Sequence, residues 1–150
     1  MNAQIDNMQK YENYKEQMGR LNKALNYKFY LEAIFIEYAI IEDRLESALR
    51  YSNKLNLKKH NSLNSKLNKI NDMKREKKAL INKYLNDEII EQVSRWKEER
   101  NRLIHALMKQ NLHTEDLERI ALEGQQIAKT VSNKVKCYNN ALAKQSGGKE

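Results

Sequence analysis

Residues 89–107 of this chain read IIEQVSRWKEERNRLIHAL, and their apolar spacing is typical of an amphipathic helix. With each residue advancing about 100° around the axis, one stripe collects the apolar side chains Ile89, Val93, Trp96, Leu103, Ile104 and Leu107. Arg100 falls near the centre of that stripe, where a leucine would be expected. Because a guanidinium keeps its charge, a buried Arg100 needs an anionic partner. Asn101 and His105 share a different side of the helix, so the three polar residues predict a site.

The composition around this helix favours an all-α protein. The 150 residues include no proline and four glycines, and helix formers such as Leu, Lys, Glu and Ala dominate. The length corresponds to one domain with a hydrophobic core. Residues 1–20 contain no apolar block, the longest apolar stretch (33–41) is too short for a bilayer, and Cys137 is the only cysteine. We therefore expect a cytoplasmic protein with no signal peptide, membrane span or internal disulfide.

The charge balance is strongly basic. Twenty-eight Lys and Arg residues stand against twenty Asp and Glu residues, which gives a formal net charge of +8. A surplus of this size favours polyanionic partners, nucleic acid first, over a surface that is merely soluble and basic.

Five helical segments follow from the apolar periodicity, at about 3–18, 23–52, 62–85, 88–110 and from 114 onward. Their number and short connections predict an antiparallel four- to five-helix bundle. We divide the chain into an N-terminal helical extension, the bundle itself and a disordered tail: 1–22, 23–143 and 144–150.

Local signals mark the ends of these segments. Gly19 is expected to cap the first helix, and Lys74 and Lys77 interrupt the third stripe, so that its middle should bend. Asn86 and Thr114 each precede two acidic residues and are therefore expected to begin helices.

The second segment is apolar on two sides. Leu31 belongs to its main stripe, whereas Ile36 and Ile40 lie opposite. We expect the bundle core to bury one side and a second copy of the chain to contribute to the other.

Two acidic residues of the second segment are candidate partners for Arg100. Glu42 lies within the apolar arc and Glu37 at its edge. A pair with Glu42 would be compatible with two interpretations: a purely structural link between helices, or a guanidinium held in position for a ligand.

Other catalytic or metal-binding patterns are missing from the sequence. His60, His113 and Cys137 match no metal-ligand spacing, so we predict neither a metal nor a cofactor. There is also no glycine-rich phosphate loop and no nucleophile elbow.

The segment from Ile89 to Leu107, with Trp96 one turn before the string RNRLIH, resembles the signature of the HEPN family (higher eukaryote and prokaryote nucleotide-binding domains). That signature is an Arg followed a few residues later by a His, commonly with Asn, Asp or His directly after the Arg. Residues 35–42 (FIEYAIIE) are similar to the family's acidic-apolar helix, which packs beside the motif. By helix order the resemblance covers roughly residues 25–140.

The resemblance implies a dimeric, metal-independent endoribonuclease in which the motif helices of two chains meet. Arg100 would then bind the scissile phosphate, His105 would transfer a proton, and Asn101 would orient the phosphate or the histidine. Glu42, Glu37, Arg102 and Trp96 would support them. Attack by the ribose 2′-OH would spare DNA, which lacks that nucleophile.

Three functions remain open at the level of sequence. The first is a ribonuclease cleaving single-stranded RNA, as a toxin or phage-defence effector restrained by an antitoxin or regulatory protein. The second is a non-catalytic HEPN-like module that binds nucleic acid or a partner protein, and the third is a helical adaptor in which Arg100 and Glu42 are structural. One toxin branch of the family carries a Tyr at the position of Leu107, where its antitoxin modifies it, so control by that modification is not expected here.

Overall fold

The computed structural model describes residues 7–109 and 112–147, and these ranges contain helices but no β-strand. Six helices follow one another along the chain: α1 (Asn7–Asn26), α2 (Tyr30–Tyr51), α3 (Leu63–Arg75), α4 (Ala79–Tyr84), α5 (Asp87–Ala106) and α6 (Thr114–Gly147). The all-α prediction is therefore confirmed. Within the described part of the chain, no helix is long and apolar enough to cross a membrane.

The first helix does not end at Gly19, which was expected to cap it. α1 continues through Gly19 to Asn26, and the chain turns at Lys28, whose φ is 61°. Two backbone bonds close this turn, from Lys28 N to Leu25 O (3.1 Å) and from Phe29 N to Ala24 O (2.8 Å). This pair of bonds is the Schellman ending of a helix, here with Lys in the left-handed position that glycine usually takes. Because a cap depends on backbone conformation, residue type alone misplaced it.

The third predicted segment is divided in two, as the lysines in its middle indicated. α3 begins at a capping box between Ser62 and Ser65 and ends before Lys77, whose φ is 57°. α4 then resumes at Ala79. The described residues thus hold six helices, where the sequence predicted four or five.

The core lies between α2 and α6, with α1, α3, α4 and α5 packed around them. α2 and α6 run parallel: Tyr30 at the start of α2 lies near Glu118, and the hydroxyl groups of Ser52 and Tyr138 are 2.6 Å apart at the other end. α5 lies antiparallel to α6, with Trp96 bonded to Ile120 O. The sequence predicted an antiparallel bundle, but α2 and α6 are parallel. Three helices lie between them along the chain, so no short turn forces them to be antiparallel.

The two sides of α2 are covered differently from the prediction. Ile40 is buried and Ile36 is half-buried against the core of the same chain, whereas Leu31 is 38% exposed and Phe35 is 70% exposed. The exposed apolar side of α2 is therefore the one that carries Leu31 and Phe35.

The end of the chain is more ordered than expected up to Gly147. α6 continues from Lys144 to Gly147, where the sequence predicted a disordered tail, because Ala143, Lys144 and Gln145 all favour a helix. The rest of that tail, 148–150, lies outside the described residues.

Candidate functional site

The string RNRLIH occupies the last two turns of α5. The helix begins where predicted, with the Asn86 side chain accepting a hydrogen bond from Ile89 N (3.0 Å) and two acidic residues in the first turn. It ends at Ala106, one residue after His105. The spacing of the motif residues is thus fixed by one regular helix.

Arg100 lies half-buried on the ring of Tyr38. Its guanidinium carbon is 4.1 Å from the ring centroid, which is a close cation–π contact. Nη1 donates a hydrogen bond to Oδ1 of Asn101 (3.1 Å), while Nε is buried and finds no acceptor among the described residues. The group is held in place by an aromatic face, and its charge is not neutralised.

Neither carboxylate proposed for Arg100 reaches it within the chain. Glu42 accepts a hydrogen bond from Lys66 Nζ (2.9 Å), and the same amine lies 3.6 Å from Glu46. The predicted pairing is wrong within this chain, because a second buried cation takes the anion. Lys66 is only 4% exposed and shares the apolar spacing of Leu63, Leu67 and Ile70, the signal that drew attention to Arg100.

Glu37 is a buried carboxyl group with no partner. Its exposed fraction is zero, and neither side-chain oxygen has a hydrogen-bond partner among the described residues. Burial raises its pKa from 4.5 to about 9, so it is neutral at pH 7. It packs against Gly124 beside Trp96, where a Cβ on residue 124 would overlap both side chains. Only glycine leaves room for this arrangement.

Trp96 anchors the motif helix to α6. Its indole is 1% exposed, and Nε1 donates a hydrogen bond to Ile120 O (2.9 Å). This bond ties α5 to α6 one turn before Arg100, so Trp96 belongs to the packing that positions the motif.

His105, Asn101 and Arg102 are exposed on the surface of α5. His105 and Arg102 line a groove of about 650 Å³ between α5 and α6, together with Lys109, Asp116 and Arg119. Arg119 is paired with Glu99 (2.9 Å), whereas no described residue bonds to the side chains of His105 and Arg102. The basic side chains of this groove without an ion pair among the described residues are therefore Arg102 in α5 and Lys109 just after its end.

Arg100 and His105 do not converge within one chain. Five residues at 100° each separate their directions by about 140° around α5. Arg100 points towards Tyr38 on α2, and His105 points towards the groove beside α6. Asn101 lies between the two directions.

Four exposed apolar side chains share the helix faces that carry Arg100 and Tyr38. α2 runs parallel to α6 and α5 runs antiparallel to it, so α5 is antiparallel to α2. Residues before Tyr38 on α2 therefore lie beside residues after Arg100 on α5. The exposed members of this face are Leu31 (38%), Phe35 (70%), Ile104 (44%) and Leu107 (39%).

The described residues contain no cluster of three or more His, Cys, Asp or Glu side chains that could hold a metal ion. Searches for similar family models, curated proteins and solved structures found no match to this chain.

Proposed function

We propose that this chain is a metal-independent endoribonuclease of the HEPN type, which cleaves single-stranded RNA as a homodimer. The single observation that carries the proposal is the state of Arg100. A half-buried guanidinium lies fixed on an aromatic ring, without a carboxylate, next to exposed Asn101. A fixed and unneutralised charge suits the dianion-like transition state of phosphodiester cleavage, and the string RNRLIH supplies a histidine on the same helix.

In the proposed reaction, the ribose 2′-oxygen attacks the adjacent phosphorus and the bond from phosphorus to the 5′-oxygen breaks. Arg100 binds the phosphate oxygens and stabilises the charge that develops on them. His105 transfers a proton at the 2′-OH or at the leaving 5′-oxygen, because imidazole titrates near neutrality. The products are a 2′,3′-cyclic phosphate and a 5′-OH, and DNA is not cleaved.

The divergence of Arg100 and His105 is the reason for proposing a dimer. One chain does not direct both groups at one phosphate. A second copy, related by a two-fold axis and packed against α5, brings the two motif helices to one cleft. The exposed apolar residues Leu31, Ile104 and Leu107 provide contact area for that copy, while Phe35 stays outside the contact, in the groove between α1 and α2. Two motifs also double the positive potential that attracts RNA.

The biological role completes the proposal. A metal-independent ribonuclease would not be controlled through the supply of a metal, and we propose that another molecule restrains it. A toxin or phage-defence effector, held by an antitoxin or regulatory protein, fits this requirement.

The test compares wild type with His105→Ala on mixed single-stranded RNA in the presence of EDTA. We expect wild type to cleave and His105→Ala to lose activity by about a hundredfold or more, with the dimer retained. His60→Ala is the matched control: this histidine lies in the loop after α2, where Nδ1 accepts a hydrogen bond from Asn56 N (3.0 Å). Equal activity in wild type and His105→Ala would assign any cleavage to contamination and refute the proposal.

A companion comparison separates Arg100 from the general basic charge. Arg100→Ala should lose both cleavage and part of the RNA affinity, whereas Arg95→Ala, at an exposed arginine of the same helix, should keep cleavage. Similar losses in the two variants would contradict the specific role of Arg100.

One observation favours a second function, a non-catalytic module that binds nucleic acid. No described residue bonds to the imidazole of His105, so none of them orients it for proton transfer. RNA binding that persists in an inactive wild-type protein would support this alternative.

A further inference from the structure

The turn between α1 and α2 presents two exposed aromatic rings. Tyr27 and Phe29 stack with their centroids 6.0 Å apart and their planes 22° from parallel, and they are 69% and 55% exposed. Lys28 lies between them in the left-handed conformation, and the backbone bonds to Leu25 and Ala24 hold the turn. The rings therefore stand on a well-defined turn.

A groove of about 490 Å³ opens beside these rings, between α1 and α2. Phe35, which is 70% exposed, forms its far wall, and Arg20 and Lys23 line the α1 side. Glu32 is the acidic side chain in the lining, and Arg20 is bonded to Glu16 through a well-exposed pair (3.2 Å). With Lys28 on the turn, positive charges outnumber negative ones around the groove.

α2 connects this groove to the motif, because the helix that carries Phe35 also carries Tyr38. Phe35 lies about one turn before Tyr38, whose ring carries Arg100. Nine residues separate Phe29 from Tyr38, which corresponds to about 14 Å along a helix axis. That distance matches about four stacked nucleotides at 3.4 Å each.

We propose that Tyr27, Phe29 and Phe35 form a base-stacking site for single-stranded RNA, with Lys23 and Lys28 binding its phosphates. The inference rests on the proposed function for the identity of the strand, and it adds the place where the strand is held beside the cleavage site. The occupant is a nucleic acid because aromatic rings alternate with basic side chains here. Every base can stack on an aromatic ring, and the phosphate of the same nucleotide can pair with a neighbouring basic side chain.

The test measures the affinity of a fluorescein-labelled twelve-nucleotide oligouridylate by anisotropy, in the full-length chain carrying His105→Ala. Adding Tyr27→Leu and Phe29→Leu together keeps an apolar surface but removes the aromatic faces. We expect the Kd to rise by about tenfold or more. Adding Tyr27→Phe and Phe29→Tyr, which keeps both rings, should leave the Kd within about twofold.

Tyr51→Leu is the matched control for the loss of an exposed ring. Tyr51 is 47% exposed at the opposite end of α2, away from the groove, and its replacement should leave the Kd unchanged. Circular dichroism of each variant checks that the helical content is retained.

Three results would overturn the stacking site. The first is a Kd that is unchanged in the double leucine variant, and the second is an equal loss in the Tyr51→Leu control. The third is a loss of self-association by sedimentation when Tyr27 and Phe29 are replaced by Ser, which would assign the surface to an interface between copies.

The two proposals fail separately. Equal cleavage by wild type and His105→Ala refutes the nuclease, while a weakened Kd in the double leucine variant still supports the stacking site. Loss of cleavage in His105→Ala with an unchanged Kd in the double leucine variant refutes the stacking site alone.

Discussion

Lys66 and Arg100 are two cations in similar sequence settings with opposite outcomes in the structure. Each occupies a position on the apolar stripe of its helix, Lys66 on α3 and Arg100 on α5. Lys66 is almost fully buried and bonds to Glu42, with Glu46 nearby. Arg100 is half-buried on an aromatic ring and has no carboxylate partner among the described residues.

The difference indicates what each charge is for. A buried cation with its anions present is already neutralised, and the contact ties α3 to α2. A fixed cation without an anion can accept one from outside the chain. The comparison therefore separates a structural charge from a candidate ligand-binding charge, although a stripe position alone predicts neither.

Glu37 provides the largest expected effect on stability, because its carboxyl group is fully buried without a hydrogen-bond partner among the described residues. Its folded-state pKa of about 9 exceeds the ordinary value of 4.5, so between these values the folded chain holds a proton that the unfolded chain releases. The contribution of Glu37 to stability is thus fully present below pH 4.5 and falls by roughly 1 kcal/mol per pH unit up to about pH 9.

Urea denaturation at pH 5 and pH 8 measures this effect, with Glu37→Gln as the reference that cannot titrate. Between pH 5 and pH 8, the free energy of unfolding should fall by several kcal/mol more in wild type than in the variant. The same pH dependence in both proteins would show that the pKa of Glu37 is not raised in the folded chain. An ionised Glu37 would then be an available anion for Arg100, and the contrast between Arg100 and Lys66 would not hold.

Lys66→Met should cause the next largest effect. The substitution leaves Glu42 and Glu46 without their cation, and the expected cost is about 2 kcal/mol, reduced because both carboxylates are partly exposed. Chemical denaturation measures the change, and Lys69→Met on the same helix is the control. A loss no greater than that of the control would mean that the buried ion pair does not stabilise the fold.

Arg100→Met should have the smallest effect on stability, below about 1 kcal/mol, because it removes a cation–π contact and no ion pair. RNA affinity should nevertheless fall, and the dependence of log K on log salt should become shallower by about one phosphate contact per site. If Arg100→Met destabilised the chain as strongly as Lys66→Met, Arg100 would be structural and the comparison would lose its functional meaning.

Several local features were predictable from sequence. The start of α5 at Asn86 and the break in the third segment near Lys77 follow from short-range signals, namely a capping side chain and an interrupted stripe. The end of α1 was not predictable in this way, because Lys28 adopts the left-handed conformation after the helix, whereas Gly19, nine residues before Lys28, stays helical.

The candidate site shows the same division. Sequence reasoning identified Arg100, Asn101 and His105, and the periodicity of α5 placed them on two different sides. It offered Glu42 and Glu37 as partners for Arg100, and it did not weigh Lys66 as a competitor for Glu42. Phe35 and the stacked rings of Tyr27 and Phe29 were not singled out, because nothing in a local pattern distinguishes an exposed aromatic ring from a buried one.

The sequence by itself determined the helical class and the order of the residues along α5, because propensity, capping and periodicity act over a few neighbouring residues. Only the tertiary structure decided that α2 runs parallel to α6, that Lys66 takes Glu42, and that Glu37 is enclosed beside Gly124. These outcomes depend on which faces distant helices turn towards one another. That choice reflects the packing of the whole core, in which each buried charge competes for partners on several helices at once.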